Sequence, residues 1–433
     1  MRRRSVLGSL ITTPALACTH AATPAAALLA PSVRPQGTPD QVARDEAFWA
    51  EIQRAFPVDR GMINFNNGGV SPSPAIVQES LARSLAFANE APAYKMWQLI
   101  EPRKELVRTQ LARHFGCDRE EIAIVRNASE GLQVCQFGFD LEPGDEILTT
   151  THDYPRMITT WKQRERRDKI VLKQLRLPIP VEDDEVVVRL FADQITAKTR
   201  LIHVCHIINI TGQILPVRKI VDMARKRGIP VIVDGAHAFA QFTFTRDELG
   251  CDYYATSLHK WLFAPFGTGM LYVRKDKIAG LWPLMAASEQ QDGDIRKYEE
   301  IGTHPCPNYA AIADAITFHE QIGPANKQAR LIYLRDRWAR ELVALERVRL
   351  HTSLKPGRAC GIATVAIDGI DTVALGDHLW QKHRIFTAAI VHPEFSGLRI
   401  SPSVYSTVAE VDYFTAVMAD IARKGLPASP RPG

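Results

Sequence analysis

Ile229-Pro230-Val231-Ile232-Val233-Asp234-Gly235-Ala236-His237-Ala238 is a short apolar run that ends in an acid and a glycine. A second run, Asp252-Tyr253-Tyr254-Ala255-Thr256-Ser257-Leu258-His259-Lys260-Trp261, ends in a lysine and leads to the glycine turn Gly267-Thr268-Gly269. Each places an ionisable group where an apolar strand stops, and ligands of open α/β sheets bind along that rim. The same texture repeats outward from these runs. Ile122-Ala123-Ile124-Val125 ends in Arg126-Asn127, and Glu146-Ile147-Leu148-Thr149-Thr150 follows the turn Pro143-Gly144-Asp145. Leu201 to Ile208 is nearly continuous in apolar residues, as a strand covered on both faces must be. Pro216 to Gly228 reads as a helix with a proline start and a glycine stop. Such alternation predicts crossover helices and an α/β fold, its mainly parallel sheet covered by helices on both faces.

An Asp and a Lys on one sheet rim suit pyridoxal 5′-phosphate. The lysine supplies an amine for a Schiff base with the aldehyde, and the acid keeps the pyridine nitrogen protonated so the ring can draw electrons. Taken alone, the two residues also fit a structural ion pair at a sheet edge. Beyond about Ala310 the texture changes. Long helices (Ala310 to Ile322, Lys327 to Leu345) give way to short strands near Ile362 to Ile367 and Ile385 to Ile390, then a last helix from Glu410. Pro39 to Phe56 reads as a short amphipathic helix.

These segments resemble the core of the class V aminotransferases of PLP fold type I, the group of cysteine desulfurases, kynureninase and isopenicillin N epimerase-like proteins. The likeness runs from about Ile63 to Tyr405 and is specific for fold and cofactor, much less so for reaction. It implies a helical segment over 36–60, a large PLP-binding domain over 61–310 and a small C-terminal α+β domain over 311–433. Lys260 then corresponds to the Schiff-base lysine and Asp234 to the acid on the ring nitrogen. His237 matches a contact to the ring oxygen, although a lone histidine also fits a structural role. Ser257 and His259 match donors to the phosphate. Ala128 and Ser129 open a helix after a strand, where free amides favour an anion; an ordinary cap is the alternative for Ser129. Asn209, in Asn209-Ile210-Thr211-Gly212, matches the asparagine that bonds the ring hydroxyl. In Thr151-His152-Asp153-Tyr154-Pro155 either His152 or Tyr154 stands where the family stacks an aromatic on the ring, and Tyr154 is favoured. Thr303, in Gly302-Thr303-His304, matches a residue that reaches the neighbouring subunit's phosphate, so the resemblance implies a homodimer with shared sites. Arg399, in Leu398-Arg399-Ile400-Ser401-Pro402, matches the guanidinium that pairs with a substrate α-carboxylate.

One departure bears on the reaction. Cysteine desulfurases carry a nucleophilic cysteine on a loop shortly before this arginine, and Thr387 to Gly397 contains none. Desulfurase activity is therefore disfavoured. The expected enzyme acts at the α-carbon or amino group of an amino acid or amino-acid-containing metabolite. Transamination, epimerisation and β-elimination would share one quinonoid and the same residues, with isopenicillin N epimerase-like proteins the nearest likeness. An exported amino-acid or PLP-binding protein without turnover is the alternative from another class; intact Lys260, Asp234 and Arg399 oppose it.

With 433 residues, 46% hydrophobic and 23% charged, the chain has an ordinary globular composition, and a net charge of +5 makes nucleic acid a poor partner. The mixed run Lys162 to Lys169 is expected to be a solvated helix face. Seven cysteines without a CxxC or a framework spacing disfavour a disulfide scaffold. No metal site is expected: His203 and Cys205 share a strand face, His206 takes the other, and a buried strand with satisfied polar groups accounts for them. Residues 1–35 begin Met1-Arg2-Arg3-Arg4-Ser5, continue weakly apolar to Ala15-Leu16-Ala17-Cys18 and end Ala/Pro-rich. This reads as a twin-arginine leader, which implies the Tat export machinery, a periplasmic setting and a lipidation option at Cys18. A disordered tail on a cytoplasmic enzyme is the alternative.

Overall fold

The computed structural model describes residues 35–427, so the leader, Cys18 included, lies outside the described residues save for Pro35. The apolar runs become strands: β1 Ile63–Asn64, β2 Ile122–Val125, β3 Glu146–Thr150, β4 Val171–Leu175, β5 Thr199–Cys205, β6 Val231–Asp234, β7 Tyr253–Ser257 and β8 Gly269–Val273. The last seven of these form one sheet in the order β2-β8-β7-β6-β5-β3-β4. β8 is antiparallel to both neighbours, and the remaining pairings are parallel. β2 and β7 therefore point the same way as β3, β5 and β6, and all five end on one rim.

Both faces are covered, which is why the central strands are apolar throughout. Leu132 and Trp161, from helices Ala128–Gly138 and Pro155–Asp168, pack with Ile147, Leu201 and Ile232. On the other face Leu111, Phe115, Ile220 and Ile316 pack with Leu148, Ile202 and Val233. At roughly 1.5–3 kcal/mol per fully buried large apolar side chain, these two layers dominate the favourable side of folding.

The C-terminal part adds β9 Val348–Leu350, β10 Ala363–Ile367, β11 Ile385–Phe386, β12 Ala388–His392 and β13 Phe395–Ile400. Four of them make an antiparallel sheet, β12-β13-β10-β9. Its core of Val365, Leu398 and Ile400 packs against Trp338 and Phe414 from the helices Pro324–Val343 and Val408–Lys424.

Several local expectations change. The N-terminal helix is two, Pro39–Val42 and Glu46–Arg54, because Asp45 accepts from the amides of Ala47 and Phe48 and starts a new helix. Ile385 to Ile390 splits into β11 and β12, since β11 pairs in parallel with β1 while β12 pairs with β13. Phe65, just past β1, lies in the C-terminal core, so the segment before the large sheet is shared with the small domain. The run Lys162 to Lys169 is not wholly solvated: Arg164 is buried and donates to the carbonyls of Gln136 and Phe139. Nor are the histidines on and just past β5 fully satisfied. Trp161 Nε1 donates to His203 Nδ1 at 3.0 Å, but His203 Nε2 and His206 Nδ1 lack partners.

Candidate active site

The five strand ends bring the sequence-picked residues to one cavity of about 370 Å³, lined by Ala128, Ser129, Tyr154, Asn209, Asp234, His237, Ser257, His259 and Lys260 among others. Local chemistry explains each placement. Asn127 caps the Ala128–Gly138 helix by accepting from Glu130 N at 2.9 Å, and Ala128 N donates to Ser257 Oγ at 3.0 Å. Two strand ends are thereby tied around a helix N-terminus, where free amides and the helix dipole favour an anion. His259 Nδ1 is 3.0 Å from the Thr268 carbonyl, which fixes its ring. Gly235 lets β6 turn directly after Asp234, because a Cβ there would lie 1.9 Å from Cζ of Tyr254.

The electrostatics follow from burial. Asp234 is 4% exposed and its carboxyl is pushed up to about 6, chiefly by desolvation; the Ala236 amide, donating at 2.9 Å, and the Lys260 charge pull the other way. Lys260 is pushed down to about 8 by burial, opposed by Asp234 and aided by Arg399. Its Nζ lies 3.1 Å from His237 Nε2, and burial with the Lys260 charge holds His237 well below the usual imidazole range. Lys260 thus stays mostly protonated at neutral pH but carries a far larger neutral fraction than a solvated lysine, and the neutral form is the one a nucleophilic amine requires.

Arg399 stands on β13, opposite Thr364 of β10. It is 7% exposed; Nη1 donates to the Asn209 carbonyl at 3.1 Å, Nη2 to Asn66 Oδ1 at 2.7 Å, and Nε has no partner. Among the described residues it has no carboxylate partner, and burial lowers it to about 10. A buried guanidinium left without an anion is costly, and a ligand carboxylate would relieve that cost.

His152 and Thr303 are placed differently. Tyr154 lines the cavity, whereas His152 is buried beside it with Nε2 3.0 Å from Glu394 Oε2. Thr303 is exposed on the turn before the helix Cys306–Ala310, away from the lining residues. The sequence reading missed Asn66, whose signal was the turn-rich run Asn64-Phe65-Asn66-Asn67-Gly68-Gly69, and Cys205, which lines the cavity in register with Asp234. The Cys205 thiol donates to Asp153 Oδ1 at 3.0 Å and burial pushes it well above the ordinary thiol value, so it is no ready nucleophile. His152, His392 and Glu394 bring ligand-type atoms within 4.8 Å of one another. Their hydrogen bonds are already spent on one another, on the Thr151 carbonyl and on Arg176.

Pyridoxal phosphate fits these residues. Asn209 Oδ1 and His237 Nδ1 are buried in the cavity wall without partners, and the same wall holds the acid Asp234 and a lysine whose amine is pushed down to about 8. Comparison with known proteins agrees with the fold and the cofactor. The chain is 29% identical to isopenicillin N epimerase of Streptomyces clavuligerus over 384 residues, covering 84% of this chain and 96% of that protein. It is 27% identical to isopenicillin N epimerase of Amycolatopsis lactamdurans, covering 87% and 99%. A solved complex of the cystine C–S lyase C-DES with its reaction product cysteine persulfide superposes with a TM-score of 0.75 at 25% identity, covering 84% of this chain and 99% of that one. The sequence model of the family described as aminotransferase class-V matches residues 65–414, and the chain belongs to that family.

Proposed function

We propose that the protein is a pyridoxal phosphate-dependent enzyme acting at the amino-bearing α-carbon of an amino acid or amino-acid-containing metabolite, as an aminotransferase or an isopenicillin N epimerase-like enzyme. The observation that carries this is Lys260, its amine pushed down to about 8, lining one cavity with Asp234, while an anion-free Arg399 is held by the Asn209 carbonyl at the cavity wall and by Asn66. Bound pyridoxal phosphate would supply an aldehyde for covalent capture of amines and a protonated ring to draw the Cα electron pair. Ser129, Ser257, His259 and the Ala128 helix start would hold its phosphate. Asp234 would keep the proton on its ring nitrogen, and Asn209 and His237 would meet its ring oxygen. Tyr154 would cover one face of the ring. Arg399 would bind the substrate carboxylate and so orient Cα, where Lys260 could take and return a proton.

A β-lyase, C–S bonds included, is the second reading, favoured by the likeness to the cystine C–S lyase. Desulfurase chemistry is not proposed: β12 and β13 with their turn hold no cysteine, and Cys360 is buried against the Gln241 carbonyl. We further propose an exported homodimer, from the twin-arginine start and from exposed Tyr94, Trp97 and Phe266 beside the helix Cys306–Ala310. Purified protein should absorb in the visible and lose that band with borohydride. Incubation with amino acids and keto acids, followed by assay of keto product, inverted Cα and released ammonia or sulfide, would separate the reactions. A colourless protein that takes up no pyridoxal phosphate would end the reading.

A further inference from the structure

Glu394 sits in the tight turn between β12 and β13, where nothing about the charge pattern of the sequence marks it. Its carboxylate is nevertheless largely buried, with side-chain exposure of 9%. Oε2 lies 3.0 Å from His152 Nε2 and Oε1 lies 3.4 Å from Arg176 Nε. Both partners belong to the large domain, one on the turn after β3 and the other just past β4. The same turn makes a second attachment: His392 Nε2 lies 3.1 Å from the Thr151 carbonyl, while His392 Nδ1 accepts from Glu394 N at 3.2 Å. His392 and Phe395 pack their rings on His152 at centroid distances of 5.3 and 5.9 Å.

Two functional side chains hang from the parts so joined. Tyr154, which lines the cavity, follows His152 by two positions. Arg399 lies on β13, which begins at Phe395, directly after Glu394. At its far end this strand is also tied to the large domain, through Arg399 and the Asn209 carbonyl. β13 is therefore fastened at both ends across the domain boundary. An exposed ion pair would contribute little to such a fastening. The Arg176 end is of that kind, its side chain being 75% exposed, so the fastening rests on the buried His152 end: a carboxylate this buried is expensive to leave unpaired and holds the imidazole in one geometry.

We propose that Glu394 is a positioning residue: through His152, Arg176 and the His392–Thr151 contact it clasps the β12–β13 hairpin to the β3 turn and so sets the distance between Arg399 and Tyr154. The clasp rests on the reading of Arg399 as the carboxylate binder. With the clasp closed, the carboxylate end of a substrate is fixed relative to the ring face. With it open, Arg399 keeps its local bonds but the strand loses its register to the cavity.

The test compares wild type with Glu394→Ala, Glu394→Gln and His152→Ala, all loaded with pyridoxal phosphate. Backbone hydrogen exchange over 388–400 and 150–154 reports the clasp directly. Spectral titration with an amino acid and its amide reports Arg399. Glu394→Ala should raise exchange in both segments at least tenfold and weaken the amino acid at least tenfold, with the amide little changed and the cofactor band retained. Glu394→Gln, which keeps a hydrogen bond and removes the charge, should fall between, and it remains readable if the alanine variant folds poorly. Exchange at wild-type levels in Glu394→Ala and His152→Ala would overturn the clasp. Faster exchange with unchanged amino-acid affinity would overturn its positioning role. If the wild type itself binds amino acid and amide equally, the Arg399 reading fails, and the exchange arm still decides whether the clasp exists.

Discussion

Lys260 and Arg399 show how much a single residue owes to its surroundings. A solvated lysine amine is protonated until about pH 10.4; burial brings Lys260 to about 8. Its neutral, nucleophilic fraction therefore rises as pH climbs through about 8. Stripped of cofactor, the protein should capture pyridoxal phosphate with a rate that rises over this range and then levels; levelling only near pH 10.4 would mean that the amine is not desolvated. Lys260→Ala should abolish turnover with an unchanged melting temperature and residual cofactor binding, and turnover at the wild-type rate would remove this lysine from the chemistry. Asp234→Asn should lower kcat far more than it raises KM, because the acid matters most as charge develops on the ring. Arg399→Ala should weaken carboxylate substrates by about 2–5 kcal/mol if the pair is buried as the free guanidinium is, and Arg399→Lys should restore only part, since an ammonium cannot form the planar fork. The positions of Asp234 and Lys260 were legible in the sequence because each lies at or just past the end of a strand with a strong apolar signature; Arg399 was legible only through the family resemblance of its segment, since no strand was expected over β13. That Arg399 has no acid of its own was not legible, nor were Asn66 and Glu394. Those depend on side chains more than a hundred residues apart meeting at the domain boundary.

At the scale of elements, buried parallel strands were the easiest to read, since apolar covering on both faces leaves a continuous run. Short edge pieces were not. β1 and β11 are two residues each and exist only because they pair with one another across the chain; no local periodicity can announce that. The Asn209 to Gly212 turn belongs with the legible elements, and its glycine is required twice over. Gly212 has φ +75°, and a Cβ would lie 2.2 Å from the carbonyl oxygen of Ile362 in the small domain. Left-handed backbone alone costs a non-glycine residue about 1–2 kcal/mol, and the clash adds to it. Gly212→Ala should lower the melting temperature and, by shifting Asn209 against β10, weaken binding of carboxylate ligands as well. A variant as stable as wild type would show that the two domains are looser at this point than the contact implies.

At the scale of the whole molecule, the large sheet supplies the cavity and the small domain supplies Arg399, yet Tyr94, Trp97 and Phe266 remain more than half exposed. The segments of Trp97 and Phe266 pack against the helix Cys306–Ala310, and the exposed Thr303 turn leads into that helix. The neighbouring His304 is fastened to Glu101 and held above the usual imidazole range chiefly by that hydrogen bond, so the turn is built rather than loose. Large exposed aromatics near one helix suit an interaction surface, and a second copy docked there would bring its own Thr303 turn with it. Sedimentation should accordingly give twice the chain mass at micromolar concentration. If the proposed dimer shares its sites across this face, Trp97→Glu should shift the protein toward monomer and release pyridoxal phosphate more readily. Thr303→Ala should weaken cofactor retention while leaving the dimer intact, which separates the two effects. A wild-type monomer that retains cofactor fully would mean that each chain builds its site alone, and the aromatic face would then need another partner.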